Sequence, residues 1–197
     1  MSMMDTVIPF ALLCFTSLFT ITSPLSTMPV FLTMTQSLDE KERRAVAIRA
    51  TLVACCALLL FVLAGQFLFK FFGISTNGFR IVGGIIIFRI GFDMLQAKYT
   101  PMNLRKEEIK EYANDVSVAP LGIPLLCGPG AIANAIVLMQ EAYSFEMKTA
   151  VIVAIILVYL ITFVLLRWAG VLVKFIGETG NNVMMRLMGL ILMVIAV

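Results

Sequence analysis

Apolar positions in this chain gather into long unbroken runs, not alternating or one-sided stripes. Runs without a charge extend from Thr6 to Leu38, Ala50 to Phe69, Val116 to Gln140 and Thr149 to Leu166. Each reaches the roughly 17–25 residues that a helix needs to cross a bilayer. Two weaker runs follow the same plan: about Asn77 to Ala97, which carries Arg80, Arg89 and Asp93, and about Asn182 to Val197. The pattern predicts an all-α polytopic membrane protein with six transmembrane helices. Between the apolar runs, the longest hydrophilic piece is Lys98 to Asp115, which is a loop and leaves no room for a soluble domain.

Two of the runs are interrupted, and in matching places. Ser23-Pro24 breaks the first, Gly128-Pro129 breaks the fourth, and residue 129 stands 105 positions after residue 24. The correspondence continues through Phe31-Leu32-Thr33-Met34 with Ile136-Val137-Leu138-Met139, and Leu63-Ala64-Gly65 with Trp168-Ala169-Gly170. Lys70-Phe71-Phe72-Gly73 with Lys174-Phe175-Ile176-Gly177, and Arg80-Ile81-Val82-Gly83 with Arg186-Leu187-Met188-Gly189, hold the register to within one residue. This reads as an internal duplication: residues 1–97 as a first three-helix repeat, 98–115 as a cytoplasmic linker, and 116–197 as a second repeat. Three spans per repeat is an odd number, so the second repeat must be inverted in the membrane relative to the first.

Each break has a local physical reading. Serine is a good N-cap and proline suits the first helical position, so Ser23-Pro24 predicts a new helix start inside the span, and Gly128-Pro129 has the same form. Pro120 and Pro124 disturb the chain entering the second break, and Pro29 disturbs the helix leaving the first. Irregular backbone at membrane depth persists only where protein or a polar cavity satisfies it. A helix start also offers free N–H groups and the positive end of a dipole, which suit a carboxylate. The candidate substrate-binding residues are therefore Ser23, Pro24, Ser26, Thr27, Cys127, Gly128, Pro129, Gly130, Ala131 and Asn134. Gly128 and Gly130 let a ligand approach the backbone closely.

Composition agrees with this picture and closes other routes. The chain is 60% hydrophobic and 14% charged, against about half apolar and a quarter charged in soluble domains. There is no histidine, which excludes histidine-ligated zinc and haem sites and any Ser-His pair. Cys14, Cys55, Cys56 and Cys127 lie in apolar runs at no metal-ligand spacing, so no metal and no cofactor are expected. The net charge of +3 forms no basic groove with stacking aromatics, so nucleic acid is not an expected partner. Lys and Arg collect on one side instead: Lys41, Arg43 and Arg44, then Lys98, Arg105, Lys106 and Lys110, then Arg167, Lys174 and Arg186. That bias predicts a cytoplasmic face there, with both termini outside.

The segments Ser23 to Phe31, Phe79 to Phe88, Ala119 to Ile132 and Arg186 to Leu192 resemble the signatures of the MarC family of bacterial integral membrane proteins, and the likeness covers almost the whole chain. Its most specific part is the Pro-Leu-x-Ile-Pro-Leu-x-x-Gly-Pro-Gly-Ala-Ile run. The resemblance implies six spans in two inverted repeats in the bacterial inner membrane, with broken first and fourth helices. It also implies, through SnatA-type members, transport of small neutral amino acids such as glycine and alanine at the paired breaks. The chain departs from the family pattern at the first break, where Ser23 replaces the usual Asn or Asp and Ser26 the frequent Gly.

The expected function is a secondary transporter and not an enzyme, with a small zwitterionic solute and the lipid bilayer as its partners. An exporter of another small metabolite or drug, or a non-transporting scaffold, is the alternative. Arg89 and Asp93 stand four apart on one helix face and can pair, either as a gating element or as a structural pair with Arg89 reaching toward the basic face. No acidic residue lies near either break. Coupling to a proton or sodium would therefore fall to carbonyls and hydroxyls.

Overall fold

The computed structural model describes residues 3–35, 38–73, 75–96 and 115–197, and all regular structure in them is helical. Helix α1 (Met3–Thr22) is followed after Ser23 by α2 (Pro24–Met34). Helices α3 (Glu40–Phe72) and α4 (Thr76–Leu95) come next. The second part of the chain holds a kinked segment α5 (Ser117–Leu126), then α6 (Pro129–Glu141) and α7 (Phe145–Ala196). Residues 97–114, which include most of the predicted linker, lie outside the described residues.

The two predicted interruptions are real bends. The axes of α1 and α2 diverge by 44° and those of α5 and α6 by 54°. Counted as one broken crossing each, they join Glu40–Gly65 of α3 and Phe145–Ala169 of α7 as segments long and apolar enough to span a membrane.

Lateral packing follows helical spacing. On α3 the buried positions include Ala47, Ala50, Ala54, Leu58 and Val62, three or four apart, while Leu52, Leu60, Leu63 and Phe67 face outward. On α7, Val151, Ala154, Ile155, Val158, Thr162, Leu166 and Ala169 are buried, and Ile156, Leu157, Leu160, Val164 and Trp168 are exposed. The inner stripes are rich in alanine and the outer ones in leucine. In lipid that distribution is sensible, because apolar side chains lose nothing by facing acyl tails and small residues let helix backbones approach. Close approach is visible at Gly91 of α4, where an added Cβ would lie 2.6 Å from the Gly189 carbonyl oxygen and 2.9 Å from Met193 Cγ. The backbones of α4 and α7 therefore meet closely at Gly91 and Gly189.

The start of α3 is a reciprocal capping box, with Asp39 Oδ1 accepting from the Glu42 N–H at 2.7 Å and Glu42 Oε2 accepting from the Asp39 N–H at 3.1 Å. Ser144 caps α7 by accepting from the Met147 N–H at 3.3 Å.

One expectation is corrected. The fifth and sixth predicted spans are not separated by a loop; α7 runs without interruption through 52 residues. At about 1.5 Å per residue this is about 78 Å, against a hydrocarbon core of about 30 Å. The distal part pairs with α4, through Gly91 and Gly189, instead of returning as a separate sixth span. The physical reason is that no proline stands between Phe145 and Ala196, and glycines such as Gly170, Gly177 and Gly180 each weaken a helix by only about 1 kcal/mol. The structure thus shows an all-helical chain with two paired breaks and up to four candidate spans, and does not confirm six spans in inverted repeats.

Candidate functional site

The first break is built by one residue. Ser23 adopts φ 45° and ψ 60°, the left-handed region, which costs an L-residue about 1–2 kcal/mol. Its side chain does not cap α2, so the expectation of a serine N-cap is corrected: the turn is made by backbone conformation. Pro24 then occupies the first helical position, and the first N–H of α2 to find an acceptor is that of Thr27, bonded to the Ser23 carbonyl at 3.3 Å. Leu25 and Ser26 consequently have N–H groups with no intrahelical acceptor.

The second break is made differently. Ala119 and Ile123, each preceding a proline, leave helical geometry at φ −134°, ψ 128° and φ −132°, ψ 123°, the extended region that a following proline favours. The peptide bonds to Pro120 and Pro124 are both cis. The turn closes with the Cys127 N–H bonded to the Gly122 carbonyl at 2.9 Å. Gly128 is extended at φ −84°, ψ 167°, and Pro129 starts α6. The Ile132 N–H bonds the Gly128 carbonyl at 3.0 Å, which leaves the N–H groups of Gly130 and Ala131 as the orphans of this start. Each break presents the same element: a proline and two N–H groups without an intrahelical partner.

Two contacts bring the starts together. Asn134 Nδ2 donates to Ser17 Oγ at 2.9 Å, and a Cβ at Gly130 would stand 3.5 Å from Ile21 Cγ2. Residues 17 and 21 ascend α1 while their partners 134 and 130 descend α6, so the two helices run antiparallel. The end of α1 therefore lies beside the beginning of α6. From that common level α2 leads away in one direction and α6 in the other, and the two helix starts oppose each other.

The predicted site residues divide accordingly. Pro24, Thr27, Cys127, Gly128, Pro129 and Ala131 are buried, Ser23 and Asn134 are half-buried, and Gly130 is exposed. The Thr27 hydroxyl donates to the Ser23 carbonyl at 3.3 Å, so it supports the bend. The side chain of Ser26 lies outside the described residues. Arg89 is exposed and Asp93 half-buried on α4, away from the breaks in sequence. The ion pair found among the described residues is Arg167 with Glu40, at 3.2 Å.

Three further residues escape the sequence reading. Ser17 is the partner of Asn134. Thr22, 3% exposed, has a buried hydroxyl without a hydrogen-bond partner immediately before the first break. Tyr159 of α7, also 3% exposed, donates its hydroxyl to the Leu126 carbonyl at 3.0 Å and pins the second break from outside its own segment. A single tyrosine in an aliphatic span was the available signal for it, since a buried phenol needs an acceptor. Among the described residues no cluster of three His, Cys, Asp or Glu side chains could hold a metal.

Comparison with known proteins agrees with the membrane architecture. Residues 8–197 match the family described as MarC family integral membrane protein. UPF0056 membrane protein MJ1677 of Methanocaldococcus jannaschii is 41% identical over 95% of this chain and 92% of its own length. UPF0056 membrane protein YvbG of Bacillus subtilis is 37% identical over 93% and 88%, and UPF0056 membrane protein PH0760 of Pyrococcus horikoshii 35% identical over 96% and 91%. No solved structure matches. With its apolar helices and paired broken crossings, this chain is a multi-pass membrane protein that belongs to the MarC family.

Proposed function

We propose that this protein is a secondary transporter of small neutral amino acids, of the glycine and alanine class, working by alternating access. The observation that carries the reading is the side-by-side opposition of the two helix starts, each with two N–H groups lacking an intrahelical acceptor. Four such donors and two positive dipole ends form a receptor for one carboxylate. The ammonium group of the substrate would be accepted by the Thr22 hydroxyl, by the Asn134 amide oxygen and by carbonyls around Cys127. An unpaired buried hydroxyl such as that of Thr22 costs roughly 1–3 kcal/mol, and a polar ligand would relieve it. The approach of Gly130 to Ile21 favours a substrate with a small side chain.

The antiparallel contact of α1 with α6 suits a rocking motion about Ser17 and Asn134, and the matched breaks support a pair of inverted repeats. The positive-inside count gains support from the ion pair of Glu40 with Arg167, since Glu40 adjoins Lys41 of one group assigned to that face and Arg167 belongs to another. On that reading the face is cytoplasmic. The test is uptake or exchange of labelled glycine or alanine by proteoliposomes. Saturable movement that the other amino acid competes is expected, and folded protein that moves neither would exclude the substrate class.

A further inference from the structure

A second polar site lies away from the breaks, where the end of one span meets the start of another. A cavity of about 190 Å³ opens between the N-terminus of α3 and α7, lined by Glu40, Arg43, Arg44 and Arg167 above an apolar floor of Ala47 and Leu166. Three guanidinium groups face one carboxylate, so the lining carries an excess of two positive charges. Glu40 accepts from Arg167 Nη1 at 3.2 Å, and that carboxylate is 81% exposed. Asp39 and Glu42, the other acids of this corner, are engaged with each other's backbone N–H in the capping box. Arg43 Nη2 is held by the carbonyls of Thr35 at 3.1 Å and Leu38 at 3.5 Å, while its Nε is buried without a partner. The corner has donors in excess of acceptors.

We infer that this cavity is a binding site for a phosphate-type oxyanion, presented by an anionic lipid headgroup or as a free phosphate. Guanidinium groups match the geometry of phosphate oxygens and bind them bidentately. The volume falls below the roughly 300–1,000 Å³ of pockets for drug-sized molecules and suits one headgroup. Its position also fits a lipid, since Glu40 opens one apolar crossing and Arg167 stands near the end of another. Basic pockets between helices at that level take lipid phosphates. Arg43 links the pocket to the C-terminal end of α2, the helix that leaves the first break, so occupancy would brace that helix.

The experiment measures lipid retention by native mass spectrometry and the unfolding midpoint of the full-length protein. One arm uses nanodiscs of phosphatidylcholine with or without phosphatidylglycerol. The other uses phosphatidylcholine alone with millimolar inorganic phosphate. A lipid source predicts retained phosphatidylglycerol and a raised midpoint in the first arm, weakened at least tenfold by Arg44→Gln or Arg167→Gln and strengthened several-fold by Glu40→Gln. A free anion predicts the same ranking of variants in the phosphate arm. If all three variants match the unsubstituted protein in both arms, or if neither anion binds, the proposal is overturned. Folding of each variant is checked by its midpoint without added anion, and glycine transport at the breaks is scored separately, so the two sites fail independently.

Discussion

The two breaks reach the same geometry by opposite means. At the first, a single strained residue, Ser23 in the left-handed region, turns the chain, and the helix on either side is otherwise intact. At the second, the turn is spread over ten residues with two prolines, closed by a backbone bond from Cys127 to Gly122 and fixed from α7 by Tyr159. The first break is compact and locally determined, whereas the second depends on a distant side chain. Both end with proline at the first helical position and two N–H groups with no intrahelical acceptor. What the pair has in common is thus the part able to meet a ligand, and what differs is the scaffold behind it.

Substitutions can break that comparison in order of expected effect. Gly130→Ala should lower glycine transport by about ten- to a hundredfold, equivalent to roughly 1.4–2.7 kcal/mol, while leaving the unfolding midpoint unchanged. Its Cβ would meet Ile21 at an ordinary 3.5 Å, so the loss would come from the covered N–H groups and not from the fold. Tyr159→Phe leaves the Leu126 carbonyl without its donor and should cost about 1–3 kcal/mol of stability, read by unfolding in detergent. The same change should leave the first break unaffected, as accessibility of a cysteine placed at Leu25 would report.

Ser23→Gly removes the left-handed penalty but adds chain entropy. Its expected effect is between zero and about 1 kcal/mol of stabilisation, whereas Ser23→Val, branched at Cβ, should destabilise. No equivalent sensitivity is expected at Gly128, whose extended backbone any residue can adopt. Smallest of all, Asn134→Ala or Ser17→Ala should cost about 0.6 kcal/mol and at most about 1.7, the range of interhelical hydrogen bonds in membranes. The double variant should cost little more than either alone if the 2.9 Å bond is what each removes.

The location of both breaks was legible in sequence because proline and glycine act on their own backbone. Pro24, Pro120, Pro124 and Pro129 each forbid a hydrogen bond or a conformation wherever they stand. The apolar runs marked the spans for the same reason, since the requirement to cross lipid is a property of the segment. Ser17, Thr22 and Tyr159 were not legible. Their importance comes from what lies opposite them in space, and one sequence carries no record of which faces meet. Ser23 was correctly placed but its role was misread, as a capping side chain where the backbone conformation makes the turn. The junction between the runs ending at Leu166 and starting at about Asn182 failed in the other direction: it was read as a loop carrying Arg167 and Lys174, but with no proline the helix continued across it.

The most direct test of the opposed helix starts is an experimental structure determined with alanine bound. The account predicts density for the amino acid between the two breaks, with its carboxylate about 2.7–3.2 Å from the N–H groups of Leu25, Ser26, Gly130 and Ala131. Alanine bound elsewhere, or helix starts whose N–H groups are occupied by the protein's own acceptors, would contradict it.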